Sequence, residues 1–330
     1  MTVWHWHLSG VTPFISDLTG TRGMDPAQTA SGSSNASLRA AGATGADGLT
    51  GTIAAVREQV AQARDRGQVP VGLVPTMGYF HEGHLSLMRK AREECGFVVV
   101  SIYVNPIQFD PAEDLKTYPS DFDRDLKLAS AEGADLVFHP SDKEMYPEGF
   151  DTHVEPGSVA EGLCGQARPG HFRGVATIVA KLFNIVGPDR AYFGQKDAQQ
   201  AAVIRRMAAD LDFSIDIRVC PTVREDDGLA MSSRNTFLVD EERAQAPLLY
   251  QALTAARDAL ARGETNASKL RRIMRRTIGQ NYLVELEYAR IVDPVTMEPV
   301  ARVDREVLAA VAARIGRARL IDNLLISPEE

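Results

Sequence analysis

Apolar residues along the chain recur with two alternating periods. Short unbroken apolar runs, Val69–Val74, Phe97–Val104, Ala134–Phe138, Ala191–Phe193 and Ile215–Val219, read as strands buried on both faces. Between them the spacing is helical. Ile53, Val56 and Val60 share a face that Gly67 can stop, and Leu85, Met88 and Cys95 share another after His84. Ser120 stands where it would cap a helix reaching Glu132. Val175, Ile178, Val179, Leu182, Phe183 and Val186 line one face of a further helix, and another starts at Asp197. Strands alternating with helices predict right-handed crossovers and a mostly parallel sheet. Beyond about Pro221 the order changes to two helices, Glu241–Arg262 and Ser268–Thr277, then strands at Val284–Val292, Val307–Ile315 and Arg319–Ile326. That order predicts a smaller α+β domain, and no internal repeat is visible.

Composition adds boundaries. The chain has 330 residues, enough for about two domains. From Pro26 to Thr50 it is mostly Ala, Gly, Ser and Thr, with little side-chain area to set against ordering entropy. Residues 1–49 are therefore expected to be a flexible, dispensable extension, residues 50–222 the α/β domain and residues 223–330 the smaller C-terminal domain. With 36 basic and 44 acidic residues the formal charge is −8, which argues against broad nucleic-acid binding. Three scattered cysteines, Cys95, Cys164 and Cys220, make no disulfide framework and suit a reducing, cytoplasmic setting. No apolar run approaches the ~20 residues of a membrane helix, and no signal peptide is evident.

Candidate chemistry gathers where strands end. Pro75–Leu87, PTMGYFHEGHLSL, follows a predicted strand and opens a predicted helix. A helix N-terminus there offers free N–H groups to phosphate, and His81 and His84, three apart, can face it together. Gly78 and Gly83 permit close backbone approach to a nucleotide. A zinc site is the alternative, but HExxH chemistry needs histidines four apart and a third ligand. Phe193–Gln200, FGQKDAQQ, sets Lys196 to neutralise phosphate, Asp197 to accept from a ribose hydroxyl and Gln200 to meet a small polar substrate. In Pro221–Asn235, PTVREDDGLAMSSRN, Ser232, Ser233 and Arg234 can hold phosphate oxygens. Asn105 and Gln108 lie just past the most apolar strand and suit a small hydroxy acid, while His171 and Arg173 precede an apolar helix.

In this order, PTMGYFHEGH, VSIYVNPIQF, EDLKTYP, RPGHFRGVATIVAKLFN, FGQKDAQQ, PTVREDDGLAMSSRN and RLIDN resemble the pantothenate synthetase family, HxGH nucleotidyltransferases that join pantoate to β-alanine. The likeness covers Thr50 to the C-terminus. It implies a Rossmann-like N-terminal domain, a smaller C-terminal lid, a homodimer, and an ATP- and Mg²⁺-dependent reaction through a pantoyl adenylate. It implies ATP at Met77, Gly78, His81, His84, Gly194, Lys196, Asp197, Val223, Met231, Ser232, Ser233 and Arg234. Pantoate is implied at Gln108 and Gln200, to which the residues themselves add Asn105, and β-alanine at Gln108. His84 matches the family's proton donor, and a histidine between a helix dipole and a triphosphate is expected to be poised between neutral and charged. His81, Lys196, Ser232, Ser233 and Arg234 complete a clamp on developing phosphate charge. Tyr79 and Phe80 depart from the family's smaller residues and are expected beside the adenine pocket. The acidic run Asp121, Asp123 and Asp125 lies where Mg²⁺ is expected, without assigning a ligand. A nucleotidyltransferase releasing a stable nucleotide would share HxGH but leave Gln108 and Gln200 unexplained. A non-catalytic nucleotide binder would not need every clamp residue.

Overall fold

The computed structural model describes residues 48–109, 115, 118–279 and 281–328; nearly all of the expected extension lies outside the described residues. Six parallel strands, β1 (Leu49–Thr50), β2 (Val71–Thr76), β3 (Phe97–Ile102), β4 (Leu136–Phe138), β5 (Arg190–Gly194) and β6 (Asp216–Cys220), form one sheet in the order β1-β4-β3-β2-β5-β6. Leu49, assigned above to the extension, is thus paired strand, its register partner being Val137.

Both faces of this sheet are covered, which is why β3 lacks polar alternation. Phe97 and Val99 pack with helices α1 (Ile53–Asp65) and α6 (His171–Val186), while Val98, Val100 and Ile102 pack with α2 (Glu82–Glu94) and α3 (Phe122–Ala131). Thr52 caps α1, and Asp121 rather than Ser120 caps α3 by accepting from the Arg124 N–H at 3.2 Å. Two short helices, α4 (Asp142–Met145) and α5 (Leu163–Ala167), precede α6, and α7 (Ala198–Asp210) follows β5 through a turn at Gln195–Asp197.

Successive strands step from β2 to β3 to β4 in one direction, then β5 and β6 add on the other side of β2. The loops leaving β2 and β5 therefore diverge and open a crevice at the strands' carboxyl ends, where open α/β sheets bind ligands.

The C-terminal part holds α8 (Asp240–Gln245), α9 (Leu248–Ala261), α10 (Ala267–Ile278) and an antiparallel sheet β7 (Val284–Val292), β8 (Val307–Ile315), β9 (Ala318–Ile326). The single helix expected over Glu241–Arg262 is two helices. Pro247 has no N–H to continue the first and stands at the cap of the second. Strand β8 is sandwiched: Leu308, Ala310 and Ala312 join the core of the large sheet, whereas Val307, Ala309, Val311, Ala313 and Ile315 pack against α9 and α10.

Candidate functional site

A cavity of about 240 Å³ opens at the crevice between β2 and β5, and the predicted residues converge on it. Met77, His81 and His84 reach it from the β2–α2 connection, and Asn105 and Gln108 from the turn after β3. Gly194, Lys196, Asp197 and Gln200 come from the end of β5 and the start of α7, and Val223, Met231, Ser232, Ser233 and Arg234 from the loop after β6. Gly78 does not line it. Tyr79 and Phe80 also lie outside the lining. Phe80 is buried in the core 5.5 Å from the His84 ring, and Tyr79 lies under the Arg124 guanidinium.

The two histidines are held by the helix they start. His81 is the N-cap of α2: its Nδ1 accepts from the Gly83 N–H at 3.1 Å, and His84 Nδ1 accepts from the His81 N–H at 3.4 Å. A backbone N–H can only donate, so each Nδ1 carries a lone pair. In the neutral rings the proton must then sit on Nε2. Gly83 is required less by a nucleotide than by His81, since a Cβ there would stand 2.9 Å from the imidazole Cε1 and Nδ1. Burial, with Lys196 nearby, lowers the His81 pKa to about 4. His84 is buried more completely and is driven well below the ordinary histidine value by burial, His81 and Lys196. Both are neutral Nε2–H donors near pH 7, not groups poised to charge.

Asp125, 1% exposed, accepts the N–H groups of Tyr79 at 2.5 Å and Phe80 at 2.8 Å and so pins the turn ahead of His81. With Asp121 capping α3, two carboxylates of the acidic run accept backbone N–H groups. Among the described residues no group of three or more His, Cys, Asp and Glu side chains is arranged to hold a metal.

The side of the cavity formed by Asn105 and Gln108 is tightly ordered. Asn105 Nδ2 donates to Gln108 Oε1 at 3.0 Å and to the Gly174 carbonyl at 3.2 Å, and Asn105 Oδ1 accepts from the Tyr146 hydroxyl at 2.7 Å. With its amide and oxygen both engaged, Asn105 orients Gln108. Among the described residues the Gln108 amide donates to the Met77 thioether, at 3.2 Å, a weak acceptor that a better one entering the cavity can replace. The neighbouring glutamines divide their tasks. Gln200 lines the cavity, while Gln199 ties down α5 through Val159, Gly162 and Cys164. His171 Nδ1 meets the Gln108 carbonyl at 2.9 Å; a carbonyl only accepts, so His171 donates there and leaves Nε2 as a lone pair. Burial and Arg168 lower its pKa to about 4.

Three polar groups escaped the reading of the residues as site members. Ser101 Oγ and Thr222 Oγ1 line the cavity, are buried, and have no hydrogen-bond partner among the described residues. Tyr118 meets the Ser233 hydroxyl at 3.4 Å. Tyr118 stands in the quoted EDLKTYP block; Ser101 was hidden inside an apolar strand.

Comparison with known proteins shows the family. Residues 49–325 match the family model of pantoate-beta-alanine ligase. A pantothenate synthetase of Thermotoga petrophila is 56% identical over 256 residues, 78% of this chain and 91% of that protein. The crystal structure of pantothenate synthetase from Thermus thermophilus superposes with a TM-score of 0.81 at 45% identity, covering 85% of this chain and 99% of that one. A pantoate-beta-alanine ligase from Francisella tularensis, solved in complex with beta-gamma ATP and beta-alanine, gives a TM-score of 0.68 at 34% identity over 86% of this chain and 98% of that one.

Proposed function

The chain belongs to the pantoate–β-alanine ligase family and condenses pantoate with β-alanine to pantothenate in an ATP-dependent, AMP-forming reaction, and we propose that the cavity between β2 and β5 is where it does so. The observation that carries this assignment is the convergence of separate loops on one crevice. Two neutral Nε2–H donors, a lysine, two serines and an arginine stand on one side, and a Gln108 amide facing a weak thioether acceptor on the other.

In the first step a pantoate carboxylate oxygen attacks the α-phosphorus of ATP. The bond from that phosphorus to the bridging oxygen breaks, and diphosphate departs with the electron pair. His81 and His84 donate from Nε2 to the phosphate oxygens, and Lys196, Ser232, Ser233 and Arg234 balance the charge that develops. Gln108, oriented by Asn105, exchanges Met77 for pantoate as its acceptor, and Gln200, Ser101 and Thr222 supply further polar contacts. In the second step the neutral β-alanine amine attacks the acyl carbon, the bond from that carbon to the phosphate oxygen breaks, AMP leaves with the electron pair, and the nitrogen loses one proton to solvent. The His171 Nε2 lone pair accepts a hydrogen bond from the incoming nitrogen. No protein nucleophile takes part; positioning and exclusion of water carry the rate.

Mg²⁺ enters as part of the nucleotide substrate, because the carboxylates of Asp121 and Asp125 already hold backbone N–H groups. We read residues 50–222 and 223–330 as two domains sharing this site, and a homodimer in the cytoplasm from the family resemblance. No helix among the described residues is long and apolar enough to cross a membrane. The test is pantoate-dependent exchange of diphosphate into ATP without β-alanine. Gln108→Ala should raise the KM for pantoate about 5- to 150-fold, equivalent to about 1–3 kcal/mol, and change that for ATP far less. Equal effects on both, or no exchange in the unaltered protein, would reject the assignment.

A further inference from the structure

The C-terminal sheet reaches the nucleotide side of the cavity through two adjacent residues of β9, Asp322 and Asn323, 3% and 5% exposed. Asn323 Nδ2 donates to the carbonyl oxygens of Gln195 and Lys196, both at 2.9 Å, and Asn323 Oδ1 accepts from Gln195 Nε2 at 3.0 Å. Asp322 accepts from both terminal guanidinium nitrogens of Arg224, at 2.7 and 3.0 Å, and from the Asn323 N–H at 2.7 Å. Arg224 adjoins Val223 and donates to the Gly228 carbonyl at 3.0 Å, with its guanidinium 3.9 Å from the Tyr250 ring centre. One dipeptide therefore grips both segments that carry the phosphate clamp: the turn holding Lys196 and the loop leading to Ser232.

The chemistry of this grip is specific. Consecutive carbonyls at 195 and 196 are acceptors only, so the side chain facing them must bring two N–H groups, and a primary amide does. Holding the carbonyls of the two peptides that flank the Lys196 Cα limits rotation there and sets the direction in which the Lys196 side chain leaves the turn. That ammonium lies 3.6 Å from Asp197 and is only 16% exposed, so it enters the cavity along a defined line. Space-filling alone at position 323 would not require a donor pair.

We propose that Asn323 is a positioning residue for adenylate formation, locking the Lys196 turn in register with the Arg224-anchored loop. This rests on the assignment of Lys196 to the nucleotide phosphates, and the experiment keeps the two apart. Pantoate-dependent diphosphate–ATP exchange is measured for Lys196→Ala, Asn323→Leu, Asn323→Asp and the Lys196→Ala combinations. Asn323→Leu should lower the exchange kcat about 10- to 100-fold, the penalty of a misplaced charge-stabilising group. Asn323→Asp should do no better, since a carboxylate keeps the acceptor for Gln195 but faces two carbonyls with no N–H. In the Lys196→Ala background the same changes should alter the rate less than about 3-fold, because the group they position is gone. A purely structural role would instead give effects that multiply. Near-normal exchange in Asn323→Leu, or multiplying effects, overturns the proposal. Near-normal exchange in Lys196→Ala alone rejects the phosphate role of Lys196 and the proposal with it. If the Asn323 variants do not fold, Gln195→Ala removes one of the three bonds and should show a loss of about 3- to 10-fold with the same dependence on Lys196; full activity there also overturns the proposal.

Discussion

At the scale of single residues, the proposed phosphate contacts turn on which histidine nitrogen carries a proton. The spacing HEGH places two imidazoles at a helix start, and that much is legible in the sequence. The protonation state is not, because it follows from burial and from which backbone N–H each Nδ1 caps. A neutral Nε2–H donor is imitated by the Nε2 amide of glutamine; an ionising acid is not. We therefore expect His84→Ala to lower pantoate-dependent exchange about 10²–10³-fold. His84→Gln should recover to within about tenfold of the parent. Equal losses in both variants would show that His84 must ionise. His81 and His171 offer a direct check. Each is held near a pKa of about 4, so their imidazole NMR signals in the ligand-free protein should stay constant from pH 8 to pH 5.5, where an ordinary histidine titrates. The stability sign follows. The unfolded chain binds protons below about 6.5 that the folded chain refuses until about 4, so these residues' contribution is present above 6.5 and is lost as pH falls through that window. A denaturation midpoint that rises between pH 6.5 and 4.5 would contradict this.

At the scale of elements, periodicity read most strands and helices to within a few residues, because apolar runs buried on both faces leave an unmistakable signature. It misjudged the helix over Glu241–Arg262, where apolar spacing continues past Pro247 although the backbone cannot. A capping turn accounts for Gly170 of RPGHFRGVA, the N-cap of α6, but not for Gly174, since close approach between distant segments leaves no local pattern. Gly174 in the first turn of α6 lies against the Asn105–Gln108 turn. A Cβ there would sit 2.4 Å from the Ile107 carbonyl oxygen and 2.6–2.7 Å from the Gln108 backbone. These neighbours are backbone atoms and cannot swing aside, so the turn itself must move and take the Gln108 amide with it. Gly174→Ala should therefore raise the pantoate KM at least about fivefold, as loss of a bond of about 1–3 kcal/mol does, while ATP affinity in isothermal titration changes little. A variant with unaltered pantoate kinetics would show that Gln108 is placed by other contacts.

At the scale of the whole molecule, the fold's first requirement is a closed sheet edge, and that sets where the catalytic unit begins. Composition drew the limit of the dispensable segment at Leu49, but two residues of strand fall at that boundary. Gly48 accepts from the Val137 N–H at 2.6 Å and Thr50 from the His139 N–H at 2.9 Å, so Leu49–Thr50 cover the outer edge of β4. A two-residue edge strand is too short to leave a periodic signal, which is why it was not legible before the structure. Its position also says what it should not affect. Strand β1 is the outermost of the six, separated from the β2–β5 crevice by β4 and β3. Two truncations then separate edge from site. Removing residues 1–46 should leave kcat within a few-fold and the melting temperature unchanged. Removing residues 1–50 deletes at least the two backbone hydrogen bonds accepted by Gly48 and Thr50 and bares an edge, a loss of about 2 kcal/mol. That should lower the melting temperature by about 4–8 °C while leaving kcat at low temperature nearly intact. If the shorter deletion abolishes activity, the leading segment takes part in the site after all. If the longer one melts like the parent, β1 contributes nothing to the edge it covers.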